Sequence, residues 1–123
     1  MKKSRAFTVL LFFVLLFVST ASGAFADKAY VVDYAGVFSQ DEARSLNDEA
    51  QRISGKYGCD VIFVLVSGRN GYSSLMDFSE DFFIQNGYGR GAEKNGVMLV
   101  VDVAGREYRI TTSGSGIYAF TDA

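Results

Sequence analysis

Val61-Ile62-Phe63-Val64-Leu65-Val66 is six consecutive apolar residues, four of them β-branched. A strand buried on both faces needs that pattern, and parallel sheets supply such strands. A second run, Val97-Met98-Leu99-Val100-Val101, has the same character and is introduced by Asn95-Gly96. Between the two runs, Ser67 to Tyr72 is a loop, and Ser73 or Ser74 caps a helix reaching about Asn86. Leu75, Phe78, Phe82 and Phe83 line the inner face of that helix. Gly87-Tyr88-Gly89-Arg90-Gly91 ends it.

Upstream, Ser39-Gln40-Asp41-Glu42 is a capping box. It opens a helix with an apolar stripe at Ala43, Leu46, Ala50, Ile53 and Tyr57, stopped by Gly55 and Gly58. Asp27 to Phe38 reads as a short apolar lead-in. Downstream, Asp102 to Gly105 is a turn, and Arg106 to Thr112 alternates as a strand should. The order is helix, strand, helix, strand, strand. It implies an α/β layered fold with two parallel strands and an antiparallel third strand beside the second.

The first 26 residues stand apart. Lys2, Lys3 and Arg5 make a positive start, Ala6 to Val18 is a 13-residue apolar run interrupted only by Thr8, and Ala24-Phe25-Ala26 has the small-residue spacing of a signal peptidase site. The expectation is a signal peptide over residues 1–26, engaging the membrane before cleavage, and a domain over residues 27–123. An uncleaved N-terminal anchor is the alternative; the run is short of the ~20 residues a span requires. Of the 123 residues and formal charge of -2, cleavage removes those three basic charges and leaves 97 residues at -5.

Composition excludes several chemistries. With no histidine there is no Ser-His-Asp triad and no His/Cys zinc site. One cysteine, Cys59, permits no internal disulfide and reads as a small core-edge residue. The acidic balance gives no field for gripping nucleic acid. Gly91-Ala92-Glu93-Lys94-Asn95-Gly96 has the outer glycine spacing of a phosphate loop, but Val97 and Met98 stand where Lys and Ser/Thr are required. Asp77, Glu80 and Asp81 read as a solvated helix face.

What remains is a group of loop residues: Asp33 and Gly36, Gly87 to Gly91, Asn95-Gly96, Gly114, Gly116 and Asp122. The antiparallel return brings the end of the third strand beside Asn95, and the second helix also ends there. If Asp33 and Asp122 reach that edge, carboxylates, an amide and loop carbonyls form a hard-oxygen set suited to Ca²⁺ or Mg²⁺. The other reading is that the glycines serve turns and the aspartates cap helices. The metal set is then Asp33, Asn95 and Asp122, with no catalytic residue assigned. Arg90 and Arg109 read as helpers for phosphate chemistry or as ordinary surface and strand arginines.

Val32-Asp33-Tyr34-Ala35-Gly36-Val37-Phe38-Ser39, followed by Val61–Val66, resembles the opening of the TPM-domain family. Asn95 to Val101, Arg106 to Ile110, Gly114, Gly116 and Thr121-Asp122 resemble its later signatures. The resemblance implies a three-layer α/β/α sandwich on the outer side of a membrane, in a family that includes thylakoid-lumen acid phosphatases linked to photosystem repair and bacterial envelope proteins. It also implies divalent-metal binding by loop acids. Family domains continue past the Thr-Asp with further helices, so the C-terminal helices are missing and the domain reads as C-terminally incomplete. One sheet face should then expose apolar side chains. Three readings follow: an exported accessory or interaction module, extracellular or in the envelope or periplasm, working with an envelope or membrane protein; a metal-dependent acid phosphatase; or a non-functional fragment of a longer membrane-anchored protein.

Overall fold

A computed structural model describes residues 28–119. The expected signal segment and Asp122 lie outside them. The elements are β1 (Val31–Asp33), α1 (Gln40–Tyr57), β2 (Asp60–Val66), α2 (Leu75–Gln85), β3 (Gly96–Asp102), β4 (Glu107–Ser113) and α3 (Gly116–Ala119). They form one four-stranded sheet in the order β1-β2-β3-β4. β1, β2 and β3 are parallel, and β4 returns antiparallel to β3. The expected parallel pair and antiparallel neighbour are present. The lead-in contributes one more strand, β1, which pairs Val31 with Phe63 and Asp33 with Leu65.

Local chemistry sets the helix ends. Ser39 Oγ accepts the Glu42 N–H and the Glu42 carboxylate accepts the Ser39 N–H, so the capping box forms in full. Gly58 closes α1 in the left-handed region at φ 62°. Ser74 caps α2 through the Asp77 N–H.

Alternation along the strands sorts the sheet into two faces. One carries Tyr30, Val32, Ile62, Val64, Val66, Met98 and Val100, and all except half-buried Val32 are buried. α2 crosses it: Ser79 shares a hydrogen bond with Thr111 of β4, and Phe82 packs edge-on against Tyr34 just beyond β1. Leu75, Phe78, Phe83 and Tyr88 fill the space between.

The other face carries Val61, Phe63, Leu65, Val97, Leu99 and Val101, of which Leu65 alone is fully buried. Phe38, at the entrance to α1, packs against Phe63, and α3 sits at the start of β3 by Gly96 and Val97. Helices therefore lie against both faces, but the cover over the second is partial. The apolar runs do not belong to strands buried on both sides. Leu99 and Val101 are half-buried, and Ile110, Val103 and Tyr108 beside them are exposed.

Candidate functional site

The parallel strands give the sheet two distinct ends. At the end where β2 and β3 begin, part of the group singled out in the sequence converges: Gly89, Arg90, Asn95, Gly96, Gly114 and Gly116. The Asn95 carbonyl accepts the N–H groups of Asp60 and Arg90, each at 3.0 Å, and its own N–H donates to the Arg90 carbonyl. Asn95 Oδ1 accepts the Ser115 N–H at 2.8 Å. Gly89, at φ 99°, lies so close to Lys94 that a Cβ there would be 2.8 Å from its backbone. Gly114, also in the left-handed region, is pressed against Asn95 and Glu93.

Beneath these loops is a carboxylate that the sequence reading passed over. Asp60 is 1% exposed. Its Oδ1 accepts Arg90 Nε at 2.8 Å and the Tyr30 hydroxyl at 3.3 Å, and its Oδ2 accepts the Gly89 N–H at 2.8 Å. Arg90 Nη2 donates to the Tyr30 hydroxyl at 3.0 Å, and Lys28 Nζ stands 3.9 Å from Asp60. The Asp60 carboxylate holds the Arg90 guanidinium above its ordinary pKa. Burial pushes the Tyr88 phenol up to about 12 and raises the neighbouring Cys59 thiol, with Asp60 adding to the latter. Cys59 is therefore a poor thiolate, in keeping with a core-edge role. Two sequence signals pointed to this network: a lone acid directly before an apolar strand, and an arginine inside a glycine loop.

Asp33 is at the other end. β1 runs parallel to β2, so its last residue pairs with Leu65, five residues along β2 from Asp60, whose N–H meets Asn95. At about 3.3 Å per residue this separates the two by roughly 16 Å. The expected meeting of Asp33 with Asn95 does not occur. The reason is that Val31–Asp33 is a strand, and a parallel strand delivers its C-terminal residue to the end where α1 starts. Asp33 instead holds the loop into α1, accepting the Val37 and Phe38 N–H groups at 3.1 and 2.8 Å. Those amides, Phe38 foremost, lower its pKa. At the same end Asp102 accepts the Gly105 and Gly68 N–H groups at 3.0 and 2.7 Å, which lower its pKa likewise.

The donor set Asp33 and Asn95 thus does not fit one cation, and the described residues hold no group of three or more Cys, Asp or Glu placed to bind one. Arg109 is an exposed residue of β4, remote in register from Arg90: its partner is Val100, whereas Arg90 bridges to Asn95. The two arginines do not form one anion clamp.

Comparison with known proteins bears out the resemblance to the TPM-domain family. The family profile described as the TPM domain matches residues 31–123. Among solved structures, the solution NMR structure of the N-terminal domain of a protein from P. gingivalis is similar at 27% identity and a TM-score of 0.62. The match covers 76% of this chain and 59% of that one. A comparison with curated protein sequences returned no match. With most of its length matched, this chain belongs to the TPM domain family.

Proposed function

We propose that the protein is an exported TPM-type interaction module that engages an envelope protein through the uncovered half of its sheet. One contrast carries this reading. Asp33, Asp60 and Asp102 are each bound to backbone amides or Arg90, whereas Leu99, Val101, Val103, Tyr108 and Ile110 line an open, almost wholly apolar trough of about 520 Å³. The polar groups hold the fold together, and the apolar patch is what the surface offers to a partner. The partner segment would be apolar in the trough and polar at its turn end, where Arg106 and Glu107 bring charges of both signs. Export rests on the charged start, the apolar run and the Ala24-Phe25-Ala26 pattern. Divalent-cation binding now depends on Asn95 and Asp122 without Asp33, and calorimetric titration of Asp122→Asn with Ca²⁺ tests it.

A photo-crosslinking side chain at Ile110, in the full chain expressed in an exporting host, tests the docking. The expected result is a covalent product with an envelope protein, its mass differing from twice this chain. A control crosslinker at Glu80, exposed on α2, should give none. Equal yields from both positions would overturn the reading. So would phosphate release from an ester panel that Asn95→Ala abolishes.

A further inference from the structure

Two cavities open on the partly covered face, and they are neighbours. The first, of about 750 Å³, is lined by Val37, Phe38 and Leu46 and by the polar Asp41, Glu42 and Ser45, at the start of α1. Phe38 packs on Phe63 of β2, and Phe63 is the register partner of Leu99, which lines the trough over β3 and β4. One strand spacing, about 4.8 Å, therefore separates the cavity beside α1 from the trough. Together they make a slot whose floor is the sheet and whose side wall is a helix. α3, pressed against Gly96 and Val97, stands at one end of it.

The wall carries a pattern of its own. Ala43, Leu46, Ala50, Ile53 and Tyr57 recur at intervals of three and four, the spacing of the contact line between two paired helices. Glu42, Glu49 and Lys56 recur at every seventh position beside that line. One flank of the line is spent on the sheet. Asn47 accepts the Tyr30 and Val31 N–H groups at the outer edge of β1, and buried Ser54 accepts the Val61 N–H. At about 100° per residue, Leu46 and Ile53 fall on the other flank, toward β3. There Ile53 is half-buried, Leu46 is 41% exposed and Tyr57 is 67% exposed. Half of the contact line is therefore bare.

We propose that the slot receives one amphipathic helix of the envelope protein, laid along α1 with its apolar arc against both wall and floor. This rests on the docking reading above and names the form of the docked segment. The dimensions agree. β3 and β4 make a floor about 10 Å wide, one helix diameter, and the seven residues of β3 run about 23 Å, the length of about 15 helical residues. A strand paired to the free edge of β4 would leave the wall bare. The charges beside the contact line select basic residues opposite Glu42 and Glu49 and an acidic one opposite Lys56. A second copy of this chain does not supply the helix. Its α1 is fixed on its own sheet by Asn47 and Ser54 and would offer the floor its exposed back, Arg44, Asp48 and Gln51. The apolar face of its α2, Leu75, Phe78 and Phe83, is buried.

The test places a photo-crosslinking side chain at Ile53 on the wall, at Ile110 on the floor or at Asp48 on the back of α1, in the full chain expressed in an exporting host. The products are mapped by peptide mass. Ile53 and Ile110 should join the same envelope protein, on residues of one segment spaced three, four or seven apart, and Asp48 should not. Leu46→Asp sets a charge against the docked apolar arc and should lower the Ile110 product about tenfold, while Asp48→Ala should leave it unchanged. A far-ultraviolet spectrum checks that each variant is folded. An Ile110 product without an Ile53 product, one undiminished by Leu46→Asp, or partner contacts at every second residue would overturn the helix and leave the docking reading standing. No product at Ile110 would overturn both. A product of twice this chain's mass, or one with no gain in mass, would put a second copy or the chain itself in the slot and overturn the proposal.

Discussion

The two faces of the sheet are built from the same two apolar runs, yet they end in different states. Met98 and Val100 are 0% exposed, whereas their immediate neighbours Leu99 and Val101 are only half-buried. Composition does not separate them, since both pairs are aliphatic. What separates them is the number of aromatic rings delivered by the connections. The β2–β3 connection brings Tyr72, Phe78, Phe82, Phe83 and Tyr88 to one face in a chain of ring contacts. The β1–β2 connection brings Phe38 to the other face, and the β3–β4 connection is a tight turn that brings nothing across. The lesson is that a strand's apolar run states its capacity for burial, and the connections decide how much of it is used.

The largest effect should come from the polar anchor of the packed face. Asp60→Ala leaves the buried Gly89 N–H and Tyr30 hydroxyl without their acceptor, at about 1–3 kcal/mol for each group left unsatisfied, and removes the partner of the part-exposed Arg90. Urea unfolding followed by circular dichroism should show that loss. A midpoint unchanged from the parent would mean that the aromatic layer holds without the anchor. Next comes the layer itself. Met98→Ala should cost about 2–5 kcal/mol, while Leu99→Ala, on the open face, should cost about 1 kcal/mol. Equal costs would break the contrast between the faces.

Much of the fold was legible in the sequence. Ser39 and Glu42 announced α1, the two apolar runs announced adjacent parallel strands, and Gly114 and Asn95 announced loops that meet. β1 was not legible as a strand, because Val31–Asp33 is three residues long and its pairing lies with Phe63 to Leu65, far along the chain. That one omission sent Asp33 to the wrong end of the sheet. Asp60 was missed because a charge beside an apolar run normally marks its solvated end. Here Arg90, 30 residues away, supplies the counter-charge that lets it be buried. Pairings of this kind depend on tertiary geometry, and local pattern does not reveal them.

The smallest effect concerns acid, and it compares one carboxylate from each face at the end where β1 and β3 finish. Asp102 belongs to the packed face and Asp33 to the open one, by strand alternation from Val100 and Val31. Both have pKa values lowered by backbone N–H groups, Asp102 by Gly105 and Gly68 and Asp33 mainly by Phe38. A carboxylate with a lower pKa folded than unfolded stabilises the fold fully above the unfolded value of 3.8, and that stability is lost as pH falls through the folded value. The urea midpoint should therefore hold from neutral pH to about pH 5 and then fall toward pH 2. Asp102→Asn and Asp33→Asn should each begin from a lower midpoint at pH 7 and decline less steeply below pH 4, because the acid-sensitive group is gone. The Asp102 amides come from two separate loops, after β2 and after β3, whereas those held by Asp33 belong to one segment that precedes α1. The Asp102 variant should accordingly flatten the profile more. Profiles parallel to the parent in both variants would show that these caps do not couple protonation to folding. A larger change at Asp33 would show that the open face depends on its loop more than the packed face depends on Asp102.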